Sequence, residues 1–259
     1  MKNLINNLYN YRQLLKSNVK KEIRGKYKGS FLGVLWSFVN PLLTTLVYAI
    51  VFPIILKNPE PHYVTFIVIG ILPWTYFTTV IMQGTTTVLM NAGIIKKVYF
   101  PREILPISIN FSGLVNFLIS CLIIFIFLIC SGIGFSWYIL FLPLIVITQF
   151  ILQQGIIFIT SAINVYIRDA EYIINFIISM LFYATPILYS SELFINSSLE
   201  WIMYLNPMAT IINCYRDILF YQSIPHIKSL LVVLIGSCIL CFIGLKVFKK
   251  LEKGFAEEV

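Results

Sequence analysis

The chain has 259 residues, of which 59% are hydrophobic and only 12% are charged, with a net charge of +8. A soluble globular domain carries roughly a quarter charged residues, so this composition, with its several bilayer-length apolar runs, excludes an ordinary soluble domain and indicates a polytopic membrane protein. The basic balance is not a nucleic-acid footprint, because the basic residues sit at the ends of apolar runs, where positive charge sets topology and meets anionic lipid.

Residues 3–23 are predicted to form an amphipathic helix. Leu4, Leu8, Tyr11, Leu15 and Val19 recur at helical spacing, while Lys16, Lys20 and Lys21 lie off that stripe. Such a helix lies in the inner membrane interface, or packs on a partner as a solvated helix. The basic stretch RGKYKGS (24–30) forms a collar before a first span over residues 31–56. Gly25, Gly29 and Gly33 permit close helix packing at its mouth, or simply punctuate a turn. Pro41 and Pro53 are tolerable kinks inside a membrane helix. After an external loop at 57–62, the second span covers Tyr63–Met90. Its GILPW stretch (70–74) reads either as a kink or as an interfacial turn.

Residues 91–106, NAGIIKKVYFPREILP, are a polar island between two long apolar runs. Lys96, Lys97 and Arg102 mark it as cytoplasmic. Ile94, Ile95, Val98, Tyr99 and Phe100 give it an apolar face of its own. A loop that only returned the chain to the membrane needs no such face, so the island is expected to dock against a cytoplasmic partner. The plainer reading is a solvated turn with basic anchors.

The third span covers Ile104–Cys130 and the fourth Trp137–Tyr166, joined by an uncharged external turn. In the short internal loop IRDAE (167–171), Arg168 and Asp169 are adjacent and would not face each other on a helix, so each is expected to pair elsewhere. The fifth span covers 172–189, with Pro186 near its outer end. Beyond it, 199–205 and 208–221 are short apolar stretches separated by Asn206 and Pro207. At about 1.5 Å per residue neither can span alone. They are expected as two short helices dipping into, or lying on, the outer surface, with Arg216 and Asp217 in the second. The sixth span covers 228–248, and the tail 249–259 ends charged. Sixteen of the 19 Lys and Arg residues fall on the proposed internal side. This asymmetry supports an all-α polytopic protein with six transmembrane helices and both termini cytoplasmic. The expected organisation is one transmembrane domain over 1–259: interface helix and collar at 1–30, five spans over 31–189, external helices at 190–227, then the last span and tail.

The chemistry that is missing is equally informative. Cys121, Cys130, Cys238 and Cys241 lie in apolar runs, Cys214 stands alone, and no paired CxxC occurs, so neither a metal site nor a disulfide framework is expected. No cleavable signal peptide is expected, since the first apolar run starts near Phe31 and is too long. No charged residue or histidine lies deep in a span, which argues against ion-coupled transport and against catalysis in the bilayer. His62 and His226 sit at outer ends. There is no HExxH, no GxSxG and no GxxxxGK[ST] phosphate loop. Uphill work would therefore draw its energy from another subunit, and no cofactor is expected in this chain. The uncharged Gln83, Asn110, Asn116, Gln149, Gln153, Gln154 and Asn164 are expected to hydrogen-bond between helices rather than to line a path. Tyr48, Phe52, Phe182, Tyr183 and Tyr189 are candidates for a sugar path, because the CH-rich face of a sugar stacks on a flat ring. Taken singly, each such ring more ordinarily faces lipid or core.

Several stretches resemble, in order and spacing, the membrane subunits of ABC-2 type exporters. They are RGKYKGSFLGVLWSFVNPLL (24–43), LPWTYF (72–77), NAGIIKKVYFPREILP (91–106), VYIRDAEYI (165–173), TPILYS (185–190) and LNPMATIINCYRDILF (205–220). The branch they are most similar to is that of O-antigen, teichoic acid and capsular polysaccharide permeases. The resemblance covers nearly the whole chain. It implies a homodimer with a translocation path between the copies, and two copies of a separate nucleotide-binding subunit carrying ATP and Mg²⁺. It implies a coupling helix at roughly Gly93–Pro101, with Arg102 beside it, seated in a groove of that ATPase, and a contact from the N-terminal helix. The external helices around Asn206, Pro207, Arg216 and Asp217 would form a gate. The cargo would be a polyprenyl-diphosphate-linked glycan or polyol-phosphate polymer. Independently, six helices are few to enclose a polymer-wide conduit, so size alone also predicts dimerisation. Two other readings stand beside this one: an ABC-2 permease for a small lipid, drug or peptide, and a membrane-embedded lipid-phosphate enzyme. The lack of clustered His, Asp or Arg in the spans counts against the last. Lys16, Lys20, Lys21, Arg24, Lys26 and Lys28 serve as topology and lipid-surface charges, or meet a lipid diphosphate.

Overall fold

The computed structural model describes residues 2–25, 31, 36–56, 61–191 and 200–258, and every regular element among them is a helix. In chain order these are α1 (Lys2–Asn10), α2 (Arg12–Gly25), α3 (Trp36–Leu56), α4 (Tyr63–Met90), α5 (Ala92–Ile95) and α6 (Ile104–Cys130). Then follow α7 (Leu142–Tyr166, led in by a 3-10 turn over Trp137–Phe141), α8 (Ala170–Tyr183), α9 (Glu200–Leu205), α10 (Pro207–Leu219), α11 (Ile227–Leu251) and α12 (Phe255–Glu258). Four runs are long and apolar enough to cross a bilayer: Tyr63–Met90, Ile104–Cys130, Trp137–Tyr166, and the run Ile227–Glu258 that contains α11. Part of the basic collar (26–30), residues 32–35 with Gly33, and the stretches 57–60 and 192–199 lie outside the described residues.

The bundle is organised around α4, which is buried along most of its length and packs against α3, α6, α7, α8 and α10. It runs unbroken through Pro73, so the interfacial turn expected as one reading of residues 70–74 does not form. Proline inside a membrane helix is tolerated when neighbours supply polar partners. The carbonyl that loses its helical donor here is that of Ile69; Gln149 Nε2 donates to the Pro73 carbonyl itself at 2.8 Å and ties α7 to α4 at this level. Between α7 and α11 the backbones nearly touch. A Cβ built on Gly155 would sit 2.8 Å from the Cys241 nitrogen, and one on Gly244 would sit 2.5 Å from the Gly155 carbonyl oxygen. Lipid tails are as apolar as leucine, so close packing of this kind, not the hydrophobic effect, holds membrane helices together.

Polar side chains cross-link the same helices. Tyr76 donates to Asn110 Oδ1 (3.1 Å), and Asn110 Nδ2 donates to Gln154 Oε1 and to the Phe150 carbonyl, both at 3.0 Å. Tyr215 donates to Gln149 Oε1 at 3.0 Å. These match the interhelical bonding expected of Asn110, Gln149 and Gln154. Gln83, by contrast, is exposed.

Two expectations are corrected. The fifth apolar segment is helical only over Ala170–Tyr183, not over 172–189. Its 14 residues give about 21 Å of helix, short of the roughly 30 Å hydrocarbon core. The N-terminal helix is divided by a turn at Tyr11, although the Tyr11 and Leu15 N–H groups still donate four residues back to Asn7 and Tyr11. Leu8, Tyr11 and Leu15 of its apolar stripe, with Leu14, pack on this chain's own core. The amino-terminal helices, the island and the carboxyl-terminal tail therefore gather at one end of the bundle, the island end; α9 and α10 lie at the far end.

Candidate functional site

At the island end the apolar face divides in two. The helix expected over Gly93–Pro101 is a single turn, α5: the Lys97 N–H closes a tightened three-residue turn on the Ile94 carbonyl (3.1 Å), the Val98 N–H makes a last four-residue bond to it (3.0 Å), and non-helical backbone follows. One turn is too short to sustain itself as a helix, and the residue before Pro101 is driven out of the helical region. Ile95 and Phe100 turn inward, into an apolar cluster with Val88, Leu105, Phe158, Phe248 and Phe255. Ile94 (44% exposed), Val98 (58%), Tyr99 (92%) and the neighbouring Met90 (82%) face outward. Gly93, Lys96 and Lys97 are exposed beside them, while Pro101 and Arg102 are half-buried. The result is an apolar surface ringed by cations and carried on an apolar anchor.

A polar frame fixes the two ends of the island. Asn91 Nδ2 donates to the Thr87 carbonyl (2.8 Å), and its Oδ1 accepts from Lys21 Nζ (3.2 Å). Glu103, almost fully buried, accepts from Asn7 Nδ2 at 3.0 Å and lies 3.8 Å from Lys249 Nζ. A buried carboxylate requires partners of this kind. Arg102 Nη1 donates to the Glu252 carbonyl. Glu252 follows the end of α11, in the tail. Burial, then the nearby Glu103 charge, push its carboxyl up to about 7, against Lys249 and Arg102. Sequence reasoning did not single out Asn7, Glu103 or Glu252. The available signal was Glu103, an acid set immediately before a long apolar run.

Arg168 and Asp169 are both exposed, and among the described residues neither enters an ion pair. Their loop is held by Asn164 Oδ1, which accepts the Glu171 N–H at 3.2 Å.

At the far end α10 is no surface-lying helix, since most of it is buried against α4, α7 and α11. Asn206 starts it: its Oδ1 accepts the Met208 N–H at 3.0 Å, with Pro207 at the first helical position. Its Nδ2 reaches back to Thr185 Oγ1 (2.8 Å) and the Ala184 carbonyl (3.3 Å). Arg216, 2% exposed, donates to the carbonyls of Pro186, Ile187 (2.6 Å) and Tyr189 (3.3 Å), with its guanidinium 3.5 Å above the Phe66 ring. Tyr63 donates to the Leu188 carbonyl at 2.6 Å. A Cβ on Gly70 would stand 2.9 Å from Arg216 Nη2, so only glycine leaves the guanidinium its place. Residues 184–189 can thus leave the helix while buried, because side chains meet their carbonyls. This is why α8 ends early. Asp217 lies beside Arg216 at a small cavity of about 180 Å³, whose walls include Phe66, Asn213, Tyr221 and His226.

Four of the five candidate path aromatics form one cluster. Tyr48 meets Phe52 (5.7 Å between ring centres) and Phe182 (6.1 Å), and Phe182 meets Trp74 (5.9 Å) and Tyr183 (5.3 Å). Tyr189 joins through a hydrogen bond to the Tyr183 carbonyl at 2.5 Å. Together they tie α3 and α8 to α4.

Residues 13–220 match the family model for the ABC-2 type transporter. An O-antigen export system permease protein RfbA from Myxococcus xanthus is 32% identical over 257 residues, covering 99% of each chain. Two proteins of the same name from Klebsiella pneumoniae are 36% and 35% identical over 240 residues, 92% of this chain and 91% of each of theirs. The chain belongs to the ABC-2 type transporter family, as a multi-pass membrane permease.

Proposed function

We propose that this permease exports a lipid-linked surface polysaccharide, driven by a separate ATP-hydrolysing subunit that docks on the island. The observation that carries the reading is the outward surface of Met90, Ile94, Val98 and Tyr99, ringed by Lys96 and Lys97 and anchored from behind by Ile95 and Phe100. Contiguous apolar surface rimmed by polar residues marks an interaction site. ATP and Mg²⁺ belong to the docked subunit. The cargo reading, a polyprenyl-diphosphate-linked O-antigen, teichoic acid or capsular polymer, rests on relatives named for O-antigen export.

In this reading α3 and α8 complete six spans, both termini lie in the cytoplasm, and residues 1–259 form one transmembrane domain. Two copies form a homodimer across the α3 and α8 edge. Supporting this, α8 is short and presents a stripe of exposed Tyr172, Phe176, Met180 and Tyr183, which a second copy would cover. The Tyr48, Phe52, Phe182, Tyr183 and Tyr189 cluster would then border the path, and α9 and α10 would gate its outer end. Deleting the gene should strand lipid-linked polymer inside the cell. Normal surface polymer after a clean deletion would refute the cargo.

A further inference from the structure

We propose that the carboxyl-terminal tail is a positioning strut for the docking surface: Phe255 and the Glu252 backbone hold Arg102 and the inward anchors, so that the outward residues present a fixed face. The inference rests on the docking role proposed above and assigns the tail a part in coupling.

The island cannot hold its own shape. Its only helical turn has four residues, and the backbone from Val98 to Pro101 has no regular structure. What stands behind it is the tail. Phe255 is fully buried, with ring centres of Phe248 at 5.4 Å and Tyr166 at 6.3 Å, and the Arg102 guanidinium 6.0 Å from its own ring. It shares its apolar cluster with Ile95 and Phe100. The Glu252 carbonyl accepts from Arg102, and the Leu251 carbonyl accepts from the Tyr166 hydroxyl at 2.7 Å. The turn that brings Phe255 inward passes so close to Tyr166 that a Cβ on Gly254 would lie 2.4 Å from its hydroxyl oxygen. A purely solvated charged tail would show none of these features. The strut continues into α11, which packs tightly on α7, so force on the island is resisted by two membrane helices rather than by a loop.

The test uses the intact complex in its native host, comparing Gly254→Ala, Phe255→Ala, Phe255→Leu, Tyr166→Phe and the Gly254→Ala/Tyr166→Phe double variant. The readout is surface polysaccharide, measured as cell-surface hexose and phosphate, per assembled permease–ATPase complex. This ratio is insensitive to simple loss of folded protein. Gly254→Ala and Phe255→Ala should lower it by roughly 2- to 30-fold, the range of mutations that alter coupling at a distance, while Phe255→Leu stays near wild type. Removing the Tyr166 hydroxyl should relieve the Gly254→Ala defect in the double variant. An unchanged ratio in both Gly254→Ala and Phe255→Ala, or no relief in the double variant, overturns the strut. Tyr99→Asp in the same host, read as total surface polysaccharide and as ATPase co-isolated per permease, separates the two ideas. If it uncouples export while the tail variants do not, the strut is wrong and docking stands; if Tyr99→Asp also exports normally, docking itself fails.

Discussion

The two ends of this bundle handle the same problem in opposite ways. At the far end a charge is buried: Arg216 sits inside the protein and its guanidinium meets carbonyls of residues 184–189. At the island end apolar groups are exposed, and the charges stand around them or hold the frame behind them. Hydrogen bonds from a buried cation fix backbone in place, because leaving those carbonyls without donors is costly. Exposed apolar surface does the reverse and leaves free energy to be gained by a partner. The far end thus ties α10 to residues 184–189, so that the two would move together, while in the proposed reading the island end offers its surface to another chain.

The largest expected effect breaks the far end. Arg216→Met should cost about 3–5 kcal/mol, the scale of leaving two or more buried carbonyls without donors. Thermal unfolding of the solubilised permease measures it. Arg216→Lys should recover little, since a single ammonium cannot reproduce the guanidinium fork. At the island, Val98→Asp and Tyr99→Asp should weaken subunit association by about 2–5 kcal/mol with unfolding temperature unchanged. Ile95→Asp should instead destabilise the permease itself, because Ile95 is buried. Equal behaviour of Ile95 and Tyr99 would erase the distinction between anchor and docking face.

Between the ends, Gly155→Ala must push α7 away from the Cys241 backbone, at a cost of about 1–3 kcal/mol. Loss of stability without selective loss of association would show that both ends hang on this crossing. The smallest effect concerns pH. The Glu252 carboxyl is raised from 4.5 to about 7, so the docked tail binds its proton more tightly than a free tail does. Docking is then firmest at low pH, weakens as pH rises from about 4.5 to 7, and stays at the weaker level above. Hydrogen exchange of residues 252–258 between pH 5 and pH 8 should show this, and Glu252→Gln should remove it.

How much of this was legible in the sequence follows from what sets each feature. The bounds of α4 and α6 follow from where long apolar runs begin and end, and the expected limits agree with Tyr63–Met90 and Ile104–Cys130. The end of α8 is set by Arg216 and Asn206, residues distant in sequence whose bonds to 184–189 only the fold brings together; apolar composition runs on past Tyr183 without a mark. The island was legible as a surface with apolar and basic groups. Its division into anchor and outward face was not, because one turn of helix gives no periodicity to follow. Phe255 is a lone aromatic in a charged tail, and its burial depends on Gly254 passing close to Tyr166.

The central claim is that Ile94, Val98 and Tyr99 form the docking face for an ATP-hydrolysing subunit. The most direct measurement is gentle affinity isolation of the tagged permease from its native host, wild type beside Val98→Asp/Tyr99→Asp, with the co-isolated proteins identified and quantified. The account predicts a stoichiometric nucleotide-binding subunit with the wild type and its loss from an equally abundant, equally stable variant. Equal retention of that subunit by both, or its absence from the wild type in several detergents, would contradict it.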